Sequence, residues 1–165
     1  MKFNALFRYA LILLVISVNI GCDQISKSVV RKNIEYQESI RLVNDNVVLT
    51  KVENSGAFLS MGDSLSPVMK NLLLLGLPVI TLLFGLFLLF RHSGGIGRWS
   101  LIAWCSIMGG GIGNIFDRVV HGSVTDFLYI HWGFFRTGIF NMADVSITGG
   151  ILVVLVLQLL ESRKT

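Results

Sequence analysis

Charge is scarce in this 165-residue chain, where 14 Lys and Arg and 10 Asp and Glu stand against a hydrophobic share of 53%. That balance excludes an ordinary water-soluble domain. A membrane-spanning helix takes roughly 20 apolar residues because the hydrocarbon layer is about 30 Å thick. Four such helices would absorb almost the whole apolar inventory and leave little for a separate soluble core. The basic residues stand at the ends of apolar runs and form no stripe interleaved with aromatic platforms, so nucleic acid is excluded as a partner despite the net charge of +4.

Cysteine is nearly absent too. Cys22 and Cys105 sit in or beside apolar runs, and no Cys/His cluster has zinc-ligand spacing, so neither a disulfide framework nor a structural metal is indicated. There is no HExxH, and His92, His121 and His131 stand singly at unrelated spacings that fit interfacial or local hydrogen-bonding roles. No metal and no cofactor is expected. A Gly-x-Ser-x-Gly elbow is missing, which removes one serine-hydrolase signature. The glycine run Gly109 to Gly113 is no phosphate loop, because it lies inside an apolar stretch instead of following a strand. Gly109 and Gly113 form a GxxxG pair suited to close helix packing. Internal repeats and low-complexity tracts are likewise absent.

Four apolar runs are present. Spans are expected over about 6–26, 69–90, 99–116 and 142–161, within one polytopic membrane domain covering residues 1–165. The fold class expected is an all-α membrane protein of four transmembrane helices with a small β-containing extracytoplasmic module. The first run, with Lys2 before it and Gly21-Cys22 after it, also resembles an export signal or a lipoprotein processed at Cys22. Against that, Asn19 and Ile20 precede Gly21, and three more apolar runs follow. Lys2, Arg8, Arg91, Arg98, Arg163 and Lys164 crowd the two tails and one short loop, so charge density places both termini inside.

Two connections then lie outside. The first holds the β-prone runs Ile40–Val43 and Val47–Val52 around Asn44-Asp45-Asn46, which predicts a hairpin or small sheet within a segment of about 36–62. The second carries Phe127, Tyr129, Trp132, Phe134 and Phe135, which read as an interfacial aromatic belt.

Acids at membrane depth are costly and therefore candidates for function. None occurs between Asp63 and Asp117, whereas Asp23, Asp117, Asp126 and Asp144 all stand beside spans on the outer side. Taken alone, Asp144 reads as a cap in the first turn of the fourth helix, and Asp126 as a polar loop residue. As a pair they say more. The returning loop can set Asp126 over the start of the fourth helix, and two close carboxylates do not both ionise cheaply, so one keeps a proton while the other accepts one from water. That chemistry hydrolyses a peptide bond without a metal or a nucleophilic side chain.

Five blocks then carry a resemblance. Asp23-Gln24-Ile25-Ser26-Lys27, Asn54-Ser55-Gly56-Ala57-Phe58, Gly110-Gly111-Ile112-Gly113-Asn114-Ile115-Phe116-Asp117-Arg118, Gly122-Ser123-Val124-Thr125-Asp126-Phe127 and Phe140-Asn141-Met142-Ala143-Asp144 follow one another from residue 23 to residue 144. They resemble the DQxxK, NxGA(A)F, GGxxGNxxDR, GxVxDF and FNxAD segments of the lipoprotein signal peptidases, the signal peptidase II aspartic proteases. One departure is that Phe58-Leu59 stands where many members carry Ala-Phe, which affects the shape of that outer segment.

The resemblance implies four transmembrane helices with an outer β-containing module. It also implies cleavage of a prolipoprotein's signal peptide just before its diacylglyceryl-modified cysteine, with Asp126 and Asp144 as the catalytic dyad. The partners implied are lipid-modified prolipoproteins and membrane lipid. The expected setting is the bacterial cytoplasmic (inner) membrane, with the site near its outer face and a monomer as the expected state.

The other matched residues, Asp23, Lys27, Asn54, Gly56, Asn114, Asp117, Arg118 and Asn141, are candidates for substrate binding or dyad support. Asp23 and Lys27 also read as an i, i+4 pair with Lys27 snorkelling outward, and Arg118 as a local ion-pair partner of Asp117. Gly56 reads as a point of close backbone approach or an unusual turn. Residues 54 to 61 are expected to act as a lid. The competing class is a non-enzymatic polytopic subunit or small transporter whose acids bind a cation or carry protons.

Overall fold

A computed structural model describes residues 5–43, 45–56 and 66–163 of the chain. Among the described residues, four helices are long and apolar enough to cross a membrane. The first, α1 (Ala5–Asn33), has 29 residues and is roughly 43 Å long at 1.5 Å per residue. That exceeds the hydrocarbon thickness, so α1 continues past the expected span end near residue 26 and carries Lys27 to Asn33 beyond it. It also runs unbroken through Cys22, and both cysteines are free thiols.

The second span is Val68–His92. It comprises the short α2 (Pro67–Lys70), a widened π-helical stretch (Asn71–Gly76) in which the Leu77 N–H donates to Leu72 O, and α3 (Leu77–His92). At the other end of α3, Arg8 ties α1 to the following turn by donating to the carbonyls of Ser93 and Ile96.

The centre of the bundle is α4 (Arg98–His121), and its glycines explain why. A methyl group at Gly109 would come within 2.7 Å of Asn19 Cβ, and one at Gly113 within 2.5 Å of Asp23 Oδ2, so this face lies against α1. Gly110 faces the other way. A methyl there would meet the Ala143 carbonyl oxygen at 2.5 Å, so the opposite face lies against α5 (Met142–Ser162). Small residues allow such backbone approach in a setting where lipid supplies no hydrophobic drive between helices. Ile12, Ile16, Leu89, Leu101, Cys105 and Met108 fill the space among α1, α3 and α4. Large apolar side chains such as Leu13, Leu83, Phe84 and Leu159 point outward, as a lipid-facing surface requires.

A four-stranded antiparallel sheet sits at one end. Its strands are β1 (Ser39–Leu42), β2 (Val47–Asn54), β3 (Val124–Trp132) and β4 (Phe135–Arg136), in that spatial order. The two β-prone runs of the first connection thus form β1 and β2. The second connection departs from the aromatic belt read in the sequence at Phe127. It contributes β3, where Phe127 is buried with Val30 and Ile34, while Trp132, Phe134 and Phe135 project from the exposed turn. The helix α4 stops at Gly122, whose φ of 78° is left-handed and whose N–H closes on Arg118 O. The chain then enters β3 two residues later.

Candidate active site

Strand β3 and the start of α5 supply the paired acids. Asp126 is the third residue of β3 and only 5% exposed. Further along, the chain returns antiparallel to β3. The Phe140 carbonyl accepts from the amides of Phe127 and Leu128, and the Phe140 N–H donates to Leu128 O at 2.9 Å. Since Leu128 and Phe140 pair in this register, the next steps set Asn141 against Phe127 and Met142 against Asp126. The first turn of α5, which contains Asp144, therefore begins beside Asp126.

Asn141 joins the two. As the N-cap of α5 it accepts the Asp144 N–H on its side-chain oxygen at 3.1 Å, while Asp144 Oδ2 accepts the Asn141 N–H at 3.1 Å, a reciprocal capping box. Its Nδ2 donates to Asp126 Oδ1 at 2.6 Å. The remaining oxygens also have donors: Asn54 Nδ2 lies 3.0 Å from Asp126 Oδ2, and Asn114 Nδ2 lies 3.0 Å from Asp144 Oδ1. Asp144 is at once a helix cap and a neighbour whose charge acts on Asp126. Burial pushes the Asp126 carboxyl up to about 6, and Asp144 adds in the same direction, while Asn54, Asn141 and Lys27 pull the other way.

Beneath this pair is a second polar group. Lys27 is fully buried, and its ammonium lies 2.8 Å from Asp23 Oδ2, 3.0 Å from Asn114 Oδ1 and 3.1 Å from Asp117 Oδ2. Outward snorkelling is therefore corrected. Two hydrogen bonds, to Asp23 and Asn114, and the ion pair with Asp117 surround the ammonium inside the bundle, which is what a buried cation needs to stay there. The expected local pair of Arg118 with Asp117 is also replaced. Adjacent helical residues point about 100° apart, so Asp117 faces α1, where Lys27 and Arg31 pair with it. Arg118 instead donates from Nη2 to the Gly56 carbonyl at 2.8 Å, and its buried Nε has no acceptor among the described residues. Gly56 acts through its backbone: its N–H meets Asn54 Oδ1 at 3.0 Å, which orients the amide that faces Asp126.

Gln24, Arg31 and Thr125 belong to this group and received no role in the sequence reading. Arg31 had a signal, since Asp23, Lys27 and Arg31 repeat at four-residue intervals on one face of α1. The expected lid falls mainly outside the described residues, which include only 54–56 of its 54–61, and Phe58 and Leu59 share that fate. Among the described residues, no group of three His, Cys, Asp or Glu side chains is placed to hold a metal ion. A groove of about 610 Å³ opens on Asp144, walled by Ile139, Phe140, Val145 and Thr148, with Arg136 also lining it.

Four spanning-length helices with buried carboxylates where they meet a small sheet define a polytopic membrane protein whose polar chemistry is gathered at one end of its bundle. Comparison with known proteins supplies the family. Residues 15–160 match the sequence model of signal peptidase (SPase) II. The chain belongs to that family, and so is a peptidase of the multi-pass bacterial membrane type. It is 33% identical over 146 residues to the lipoprotein signal peptidase of Listeria monocytogenes serovar 1/2a, covering 88% of this chain and 91% of that one. The lipoprotein signal peptidase of Listeria welshimeri serovar 6b matches at the same identity and coverage. Two solved bacterial membrane enzymes share the fold. One has a TM-score of 0.79 at 22% identity, covering 93% of this chain and 90% of that one, and the other a TM-score of 0.74 at 23%, covering 90% and 92%.

Proposed function

We propose that this peptidase removes the signal peptide of diacylglyceryl-modified prolipoproteins, cutting just before the lipidated cysteine, with Asp126 and Asp144 as the acid and base. The observation that carries this reading is the single residue Asn141, which hydrogen-bonds both carboxylates at once. Two acids so placed share one proton between them, and their titrations belong to the pair. The ionised member takes a proton from water as the water oxygen attacks the scissile carbonyl carbon, and the protonated member gives its proton to the carbonyl oxygen. Collapse of the tetrahedral intermediate breaks the C–N bond. The departing nitrogen takes a proton from the carboxyl that received one from water, and the hydroxyl proton returns to the other, which restores the pair with one proton.

The groove beside Asp144 fits the apolar part of the substrate, and the unmatched Nε of Arg118 suits a substrate carbonyl. The charge density of the short basic segments supports both termini in the cytoplasm, and with them the sheet and the site at the outer face, where acyl chains stay in lipid while the peptide meets the acids. Cleavage of a lipid-modified prolipoprotein by purified protein in lipid tests the reading. Asp126→Asn and Asp144→Asn each abolish product while leaving the protein membrane-inserted, and full activity in either variant overturns the assignment.

A further inference from the structure

Two buried acids take no direct part in the proposed reaction, yet each is aimed with care. Asp23 Oδ1 accepts the backbone N–H of Ala143 at 2.9 Å, and Asp117 Oδ2 accepts the backbone N–H of Thr125 at 3.2 Å. Those amides stand immediately before Asp144 and Asp126. The same relation therefore occurs twice, on a helix and on a strand, from acids on two different helices.

The two arms meet at one cation. Lys27 contacts Asp23 and Asp117 together, and its third contact, Asn114 Oδ1, fixes which way that carboxamide faces. With its oxygen held by Lys27, Asn114 has only its Nδ2 to present to Asp144. Gln24 Nε2 ties the same two acids a second time, at 3.0 Å from each. Arg31 secures the strand arm, with Nη2 at 2.8 Å from Asp117 and Nε at 2.8 Å from Thr125 Oγ1.

Fold stability alone is a poor reason for this arrangement, because buried ion pairs are often no better than well-packed apolar residues of similar volume. The geometry points to Lys27 as a positioning residue that sets the spacing of the two proposed catalytic carboxyls, acting through Asp23 on Ala143 and through Asp117 on Thr125. This deepens the dyad reading and rests on it.

Lys27→Met tests it, assayed on the monodisperse, membrane-inserted fraction. A displacement of about 1 Å at a reacting group can cost roughly a hundredfold in rate, so kcat is expected to fall by about that factor with KM little changed. The pH profile is a second readout. Asp126 is faced by Asn54 from β2, Asn141 and Asp144 from the α5 start, Arg118 from α4 and Lys27 from α1. Of these only Lys27 is removed, so the alkaline limb moves to higher pH.

Asp23→Asn and Asp117→Asn keep an acceptor for the backbone amide and should retain more kcat than Asp23→Leu and Asp117→Leu. In the unaltered protein, the Thr125 and Ala143 amide protons should be among the slowest to exchange with deuterium, a measurement that stands even if Lys27→Met fails to fold. Wild-type kcat with an unshifted profile in Lys27→Met, equal kcat in the Asn and Leu variants, or fast exchange at either amide overturns the proposal. If Asp126→Asn is inactive in the same assay, the dyad survives that failure; if Asp126→Asn cleaves normally, the dyad itself is what fails.

Discussion

The side-chain amide of Asn141 lies 2.6 Å from Asp126, so the residue that caps α5 also holds a carboxylate of β3. Helix start and strand are thereby fixed to each other through one carboxamide.

Asn141→Ala removes both functions. Losing the N-cap costs about 1 kcal/mol, and the freed Asp126 oxygen loses its donor in a buried setting. Cleavage is expected to drop at least tenfold with a lower thermal midpoint. Prolipoprotein turnover measured beside a melting curve checks this, and unchanged turnover would count against the shared anchor.

The raised Asp126 carboxyl gives a pH signature with a definite sign. The folded protein holds this proton more tightly than the unfolded chain does, so stability falls as pH rises from the ordinary value of 3.8 to about 6 and is flat above that for this group. A shift of this size corresponds to at most about 3 kcal/mol. Asp126→Asn lacks the slope, so its thermal midpoint gains on the wild type between pH 4 and pH 7. Melting curves in detergent across that range decide the matter, parallel curves being the adverse result. The wild-type kcat/KM should also decline on the alkaline side as the shared proton leaves.

Glycines of α4 separate by what a methyl would strike. At Gly110 it meets the Ala143 backbone carbonyl at 2.5 Å, whereas at Gly111 it meets only the end of the Leu82 side chain, at 2.9 Å. Gly110→Ala should therefore greatly reduce folded protein and cleavage, while Gly111→Ala is tolerated within about 1 kcal/mol. Gly149→Ala, with nothing within 4 Å, serves as the control. Yields of monodisperse protein give the ranking, and comparable losses at Gly110 and Gly111 would contradict it.

Chelation should leave the reaction untouched, because the proposed chemistry is carried by two carboxylates that share a proton. EDTA at millimolar concentration is expected to leave the initial rate unchanged. Reversible inhibition relieved by zinc would demand another mechanism.

Much of this was legible in the sequence where local chemistry decides structure. Ile40–Val43 and Val47–Val52 flank turn formers and became β1 and β2, and the apolar runs became helices. Strand β3 was hidden because Val124, Thr125, Asp126 and Phe127 are all buried. A strand covered on both faces loses the alternation that marks one. Lys27 was ambiguous for another reason: an i, i+4 spacing with Asp23 is the same for a solvated pair and for a buried one. Only the approach of Asn114 and Asp117 on α4 distinguishes them. The cap at Asn141 follows from residue type and position, but its reach to Asp126 depends on how residues 137–140 return along β3, which no local pattern encodes.

The wide turn at Asn71–Gly76 holds one residue more than ordinary α winding needs between its bonded peptide groups. The second span thus contains a spare leucine. Shortening the chain by one among Leu72–Leu75 would tighten that turn to standard pitch and leave the stretches on either side facing their present neighbours, so this span can change length without rotating its packed surface.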